Sequence, residues 1–309
     1  MEGLSCRNLS KTYGNNTKAL RGISLSFKGN GILAIIGRNG AGKTTLVRIL
    51  STELMPSKGS AEINGMDVIN DPGSVRNIIA IVPQESRAIQ WLTPMQSVMS
   101  YLLYRGFGYN ESRKKASDAL KMLGLKSNAN KLNRLLSGGT KRKVMVATVL
   151  ASDAKVIFLD EPTTGLDPIS RNDLWNLLNK LKRDYLIVLT THYLEEAEKL
   201  ADKIGVMEQG RLMAFGSMDE LRKKVRHQYS IRINDPGADM PATKEGTLIK
   251  GLDGSKQILT TEKEAFGISQ YLIKKGVKFS TNPVSLEDIF YYIVKKPINE
   301  ASEGDGDEW

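Results

Sequence analysis

The sequence predicts an α/β core, interrupted by a helical segment and followed by a small α+β domain. Three observations carry this. The runs Gly31–Ile36, Ile78–Val82, Val156–Asp160 and Tyr185–Thr190 are short and almost wholly apolar, as strands buried on both faces are. Between about Leu92 and Ala151 the apolar residues fall at helical spacing, with no strand signal. After about Arg226 the pattern changes to shorter, alternating segments.

The stretch that organises the chain is Gly37-Arg38-Asn39-Gly40-Ala41-Gly42-Lys43-Thr44. It follows the first buried run and precedes Thr45-Leu46-Val47-Arg48-Ile49-Leu50, whose apolar residues have helical spacing. Strand, glycine loop, then helix is the context that makes G-x-x-x-x-G-K-[ST] a phosphate site. The glycines let several backbone N–H groups point into one cradle, and the helix adds its positive end. In such a loop Lys43 reaches the outer phosphates and the Thr44 hydroxyl holds Mg²⁺.

The remaining elements follow in order. Leu4 to Phe27 reads as strands and turns, with Tyr13 in a polar turn upstream of the phosphate loop. Tyr13 is either a base-stacking aromatic or a half-exposed tyrosine. Gly59–Gly65 is a strand ending in an Asn-Gly turn. Gln84 stands at the carboxyl end of Ile78–Val82, where its amide can meet a metal or a water, or serve as a polar loop residue. Ser97–Tyr104, Ser112–Leu123 and Lys141–Leu150 are helical. Among them Leu136-Ser137-Gly138-Gly139-Thr140 starts a helix, with Ser137 as its cap and an open amide end. That is either a second anion site or a plain cap.

Val156-Ile157-Phe158-Leu159-Asp160-Glu161 is a central strand delivering two acids to the sheet edge. Alternation sends Asp160 and Glu161 to opposite faces, Asp160 toward Mg²⁺ and Glu161 toward an attacking water. Thr163–Pro168 turns into a helix, and His192 follows the carboxyl end of the next strand. Glu195–Leu200 is a short helix, Asp202–Phe215 a hairpin around Gln209-Gly210, and Met218–Val225 a helix capped by Ser217. Beyond it lie strands at Tyr229–Ile233, Thr247–Ile249, Gln257–Thr260 and Val277–Ser280, and helices at Glu262–Lys274 and Leu286–Val294. The tail, residues 299–309, is acidic and expected to be disordered.

Composition narrows the function. The chain has 309 residues, with 44 Lys+Arg against 34 Asp+Glu, a net charge of +10. The positive charge is not gathered into one basic block with interleaved aromatics, so no nucleic-acid partner is expected. No apolar run reaches the length of a membrane span, and Met1–Ser5 lacks the character of a signal peptide. Cys6 is the single cysteine, which gives no disulfide framework or cysteine metal cluster. These features point to the cytosol.

Taken in order, Gly37–Thr44, Gln84, Leu136–Thr140, Val156–Glu161, Gly165–Asp167 and His192 resemble the ATP-binding subunits of ABC transporters. The resemblance runs from about Gly3 to Val225 and implies a P-loop NTPase core with a mixed sheet, an antiparallel β subdomain and a helical subdomain at about 86–153. It thus implies a nucleotide-binding domain over 1–225 and an accessory α+β domain over 226–298. It implies a Mg-dependent ATPase working as a head-to-tail dimer, homomeric or with a related subunit, with ATP sandwiched between two copies. Carried over by residue, Tyr13 stacks on adenine, and Gly37, Arg38, Asn39, Gly40, Ala41, Gly42, Lys43, Thr44 and Thr45 hold the phosphates. Thr44, Gln84 and Asp160 are then the magnesium ligands, Glu161 the catalytic base and His192 the switch that senses the last phosphate. Ser137, Gly138 and Gly139 would touch ATP held by the other subunit, and Asp167 would lie across the dimer seam.

One departure is informative: the family's commonest signature ends in glutamine, whereas here Thr140 is followed by Lys141-Arg142-Lys143. That string, with Val284–Phe290, resembles the ABCA-type lipid exporters and the ABC-2-type exporters of sodium and drugs. It implies a motor subunit docked at the inner face of the cell membrane on a separate permease, through a segment near Gln90–Ser100. The alternative is a soluble ABC ATPase acting on nucleic acid or ribosomes, which usually carries a second nucleotide domain or a long coiled-coil insertion. A simple P-loop kinase would leave Leu136–Gly139 without a purpose.

Overall fold

In the computed structural model, residues 2–14, 16–84, 86–233, 241, 243, 246–250 and 256–294 are described. The expected loop at 234–246 lies almost wholly outside these residues, and the tail at 299–309 wholly so. The chain divides into two units between Leu212 and Met213.

The first unit opens with an antiparallel sheet. Its strands β1 (Leu4–Thr12), β2 (Lys18–Phe27), β4 (Lys58–Ile63) and β5 (Met66–Asp67) lie in the order β2-β1-β4-β5. The Asn-Gly turn between β4 and β5 has the positive φ at Asn64 and Gly65 that a two-residue hairpin needs. Between β2 and β4 the chain makes β3 (Gly31–Ile36) and α1 (Lys43–Leu50).

After β5 come α2 (Pro72–Ile78) and β6 (Ile79–Val82). Asp71 caps α2 by accepting from Ser74 N at 3.2 Å, and Pro72 pre-sets its first turn. The helix absorbs Ile78, so the strand begins one residue later than the apolar run suggests.

The helical segment is α3 (Pro94–Tyr104), α4 (Tyr109–Met122) and α5 (Gly138–Leu150), with two short 3₁₀ turns before α5. α3 starts ahead of the expected Ser97 because Thr93 and Gln96 close a reciprocal capping box. The chain then returns through β7 (Val156–Asp160), α6 (Pro168–Leu181), β8 (Leu186–Thr191), α7 (Leu194–Leu200) and β9 (Lys203–Glu208).

Five of these strands form a parallel array ordered β9-β3-β8-β7-β6. Every residue of β3, β7 and β8 is buried, as expected where helices cover both faces. Ile157, Leu159, Ile187 and Leu189 of the sheet pack in one apolar cluster with Leu102 of α3, Leu120 of α4, Val146 of α5 and Leu174 of α6. Burial of each such side chain stabilises by roughly 1.5–3 kcal/mol. The phosphate-loop strand β3 and the acid-bearing strand β7 both flank β8, which brings their carboxyl ends to one edge. Among the described residues, no helix is long and apolar enough to cross a membrane.

The division between the units falls within β10 (Arg211–Gly216). The second unit continues with α8 (Met218–Val225), β11 (Tyr229–Ile233), β12 (Thr247–Lys250), β13 (Lys256–Thr260), α9 (Glu262–Lys274), β14 (Phe279–Pro283) and α10 (Leu286–Val294). Its four-stranded sheet is ordered β12-β13-β11-β14, with antiparallel neighbours. Ile231, Ile233, Ile258, Ala265, Ile268 and Leu272 form its core. The last strand lies further on than the expected Val277–Ser280. Val277 is taken by the end of α9, donating to Leu272 O at 3.1 Å while Gly276, at φ 69, donates to Ile273 O at 3.0 Å.

Candidate functional site: a cleft around Lys43 and Glu161

The loop from β3 to α1 leaves the start of α1 open. Its N-cap is Gly42, at φ 101, and no side chain caps the helix. The Ala19 carbonyl of β2 stands 2.5 Å from where a Cβ at position 42 would lie, so glycine is required twice over, by space and by backbone angle. The first amides of α1 therefore lack a side-chain acceptor and are available to an anion.

Gly40, Ala41, Gly42, Lys43, Thr44, Thr45 and Asn39 line a cleft of about 480 Å³ together with Gln84 and Glu161. Its far wall is β2 and the turn before it, including Lys18 and Arg21, with Gln209 completing the rim. Lys18, Arg21 and Lys43 give it the positive lining that a polyphosphate needs. No sequence motif marks Lys18, Arg21 or Gln209 as cleft residues: Lys18 and Arg21 reach it from β2, and Gln209 from the hairpin turn after Glu208.

Lys43 and Glu161 are the buried pair at its centre, 5 % and 7 % exposed and 3.6 Å apart. Lys43 Nζ also donates to the carbonyls of Gly37 at 2.9 Å and Arg38 at 3.3 Å. The other Glu161 carboxylate oxygen accepts from Gln84 Nε2 at 3.1 Å and Thr164 Oγ1 at 3.2 Å, and lies 3.2 Å from His192 Nδ1. Gln84, Lys43, Thr164 and His192, from four separate segments of the chain, converge on this one carboxylate.

The two acids are separated by a turn rather than by strand alternation. β7 ends at Asp160, and Glu161 adopts a left-handed conformation at φ 48. That conformation costs a non-glycine residue roughly 1–2 kcal/mol. The Glu161 amide is held by two acceptors of Thr190, the carbonyl and the hydroxyl, both at 3.1 Å. The Thr190 hydroxyl in turn donates to Asp160. Asp160 is 3 % exposed and does not line the cleft directly.

Tyr13 reaches toward the phosphate loop, its hydroxyl 3.4 Å from Thr45 Oγ1 and its ring under Lys11. Ser137 caps α5 by accepting from Thr140 N at 3.2 Å. Asp167 caps α6 by accepting from Ile169 N at 3.1 Å and Ser170 N at 3.0 Å; the Ser170 hydroxyl first, and then these amides, hold its carboxyl below the usual carboxylate range. A Cβ at Gly139 would lie 2.3 Å from Ser170 Oγ, so the starts of α5 and α6 abut. Ser137, Gly138, Gly139 and Asp167 thus sit together, and none lines the cleft around Lys43.

Behind the site lies Glu196, fully buried, whose Oε1 accepts from Trp175 Nε1 at 3.0 Å. Its other oxygen and the Thr163 hydroxyl are buried without hydrogen-bond partners. Burial pushes the Glu196 carboxyl above its ordinary range. His192 stacks on Tyr193 at 4.1 Å, and Arg171 covers the Tyr193 ring at 4.4 Å. Nothing in the sequence singled out Glu196 or Arg171, because their partners lie on other elements.

The donor set suits a hard cation beside a polyphosphate. Thr44 offers a hydroxyl, Gln84 an amide oxygen and Asp160 a carboxylate, which together with phosphate oxygens and water make an oxygen shell. Among the described residues there is no cluster of His, Cys, Asp and Glu that would hold a metal on its own.

A strand-loop-helix phosphate cradle on a parallel sheet, facing a buried glutamate, defines the class: this chain belongs to the ABC transporter family and is an ATP-binding, ATP-hydrolysing member. The family profile described as "ABC transporter" matches residues 20–164. The chain is 36 % identical over 229 residues to the daunorubicin/doxorubicin resistance ATP-binding protein DrrA of Streptomyces peucetius, covering 74 % of this chain and 69 % of that protein. It is 34 % identical over 234 residues to the human phospholipid-transporting ATPase ABCA3, covering 75 % of this chain and 14 % of the much longer relative. Among solved structures it resembles a dimeric post-hydrolysis state of the ATP-binding cassette MJ0796 bound to ADP and Pi, with TM-score 0.63 and 28 % identity, over 70 % of this chain and 98 % of that one.

Proposed function

We propose that the chain is the motor subunit of an exporter, hydrolysing Mg-ATP at the Lys43–Glu161 cleft and docking on a separate permease at the inner face of the cell membrane. The observation that supports it most is the convergence of Lys43, Gln84, Thr164 and His192 on the Glu161 carboxylate. DrrA is a drug-resistance ATP-binding protein and ABCA3 a phospholipid-transporting ATPase, and both support export.

In this reading the α1 amides and Lys43 take the phosphates, and Tyr13 contacts the base. Thr44, Gln84 and Asp160 would hold Mg²⁺, which when bound would neutralise phosphate charge. Glu161 accepts the proton of the attacking water, while His192 orients that water and the outermost phosphate. Lys43 leaves Glu161 for the phosphate when the nucleotide enters, freeing the carboxylate for its role as base. Ser137, Gly138, Gly139 and Asp167 form a second surface, engaged by the nucleotide of another copy in a head-to-tail dimer. The dimeric state of the ADP-bound cassette relative supports that arrangement.

The test is phosphate release by the purified chain with Mg-ATP, with and without a co-expressed ABC-2-type permease. Slow release that rises with the permease is expected. Release that needs no Mg²⁺, or a chain that co-purifies with nucleic acid and no membrane protein, overturns the reading.

A further inference from the structure

The string that departs from the commonest signature carries a side chain with a task of its own. Arg142 sits on α5, just over one turn from the Ser137 cap. Its Nε donates to Pro162 O at 2.7 Å, and its Nη2 donates to Asp160 O at 3.3 Å and Glu161 O at 3.2 Å. One planar guanidinium therefore holds three successive carbonyls, those on either side of Glu161 and its own. Burial pushes the Arg142 guanidinium below its ordinary range, and the Asp160 and Glu196 carboxylates offset this only in part.

Those carbonyls belong to the turn that must keep Glu161 left-handed. From the opposite side the turn is gripped by Thr190, through the amide. Arg142 is the grip on the carbonyl side. The guanidinium fixes its donors in one rigid plane across the three carbonyls; a lysine ammonium, a point charge on a flexible stem, does not reproduce that geometry. The same helix also touches the α6 start through Gly139 and Ser170, and Lys143 pairs with Asp173 at 2.9 Å. Arg142 alone runs from α5 to the backbone of Glu161 itself.

We infer that Arg142 is a positioning residue for ATP hydrolysis, joining the helix that begins at the Ser137–Gly139 loop to the backbone of Glu161 and so setting where the carboxylate stands. A displacement of α5, whatever engages its first turn, is carried to Glu161 through this fork. The inference rests on the proposed role of Glu161.

The experiment compares the full chain with Arg142→Met, which keeps the stem, and Arg142→Lys, which keeps the charge. Amide exchange of the peptide covering residues 160–166 is measured without nucleotide, alongside kcat and KM for Mg-ATP. Exchange at least tenfold faster in Arg142→Met is expected, with kcat down tenfold or more, KM within twofold and an overall melting point close to the parent's. Arg142→Lys is expected to fall between the two, and added guanidinium to restore part of the rate to Arg142→Ala. Unchanged exchange overturns the inference, as does faster exchange with kcat within twofold of the parent. A parallel loss of kcat, nucleotide affinity and melting point also overturns it, since that describes general unfolding. If the parent itself fails to hydrolyse Mg-ATP, the role of Glu161 falls, while the exchange comparison still decides whether Arg142 holds the turn.

Discussion

The Lys43 ammonium lies 3.6 Å from the Glu161 carboxylate, and both side chains are more than nine-tenths buried. Each is the other's charge partner until a ligand intervenes. Removing one half of a buried pair leaves an uncompensated charge, which costs more than the pair is worth. Lys43→Ala is therefore expected to destabilise the nucleotide-free chain by about 1–3 kcal/mol, the other donors to Glu161 limiting the loss. Lys43→Ala combined with Glu161→Gln should recover most of it. Urea unfolding of the single and double variants measures this; additive losses would show that the two side chains do not interact.

Glu161→Gln keeps the amide contacts open to Gln84 and Thr164 but removes the base. Hydrolysis is expected to fall by roughly 10²–10⁴-fold, with ATP still bound. If closure depends on an intact triphosphate, the variant elutes as a dimer with Mg-ATP and as a monomer with ADP. Phosphate release and light scattering read the two effects. Hydrolysis at the parent rate would remove Glu161 from the chemistry.

Glu196 offers a pH signature. Its folded-state pKa is raised by burial, so the folded chain holds this proton more tightly than the unfolded chain. Its contribution is full below the unfolded value and is lost as pH rises through the folded one. Glu196→Gln can accept from Trp175 and donate toward the Thr163 hydroxyl without ionising. The variant should melt higher than the parent at pH 8 and show less advantage toward pH 4. Calorimetry across that range tests it, and a constant offset would show that ionisation at this position is not involved.

The contact between Gly139 and Ser170 gives a size-exchange test. A methyl at position 139 would stand 2.3 Å from Ser170 Oγ and 2.6 Å from its Cβ. Gly139→Ala should cost about 1–3 kcal/mol. Ser170→Gly in the same chain should return most of that, since it removes both obstructing atoms. Chemical denaturation of the two variants decides whether the starts of α5 and α6 are in contact.

Much of this was legible in the sequence because it is local. The bounds of α8, β11, α9 and α10 coincide with the apolar and capping pattern, and Gly37–Thr44 could be read as a cradle from its flanking strand and helix. What could not be read depends on distant segments meeting. Lys18 and Arg21 reach the cleft through the fold of β2, and Thr190 reaches Glu161 from the neighbouring strand. The separation of Asp160 from Glu161 follows from a left-handed turn that a strand pattern does not show. The fork of Arg142 spans from α5 to the end of β7, so neither segment alone announces it.

Three backbones meet at the floor of the cradle. The Ala19 carbonyl fills the space beside Gly42 and lies 2.7 Å from a Cβ built at Gly210, whose N–H donates to Ala41 O at 3.0 Å while Arg21 N donates to its carbonyl at 2.8 Å. A Cβ at position 42 would also meet Leu20 Cδ2 at 3.0 Å and Met207 Cε at 3.4 Å, so the junction has no slack to absorb an added atom. For anyone labelling the protein, a fluorophore or spin probe at 42 or 210 would jam the cradle it was meant to report on. The solvent-facing positions 18 and 21 on the facing wall offer the same view of an arriving nucleotide without wedging the floor apart.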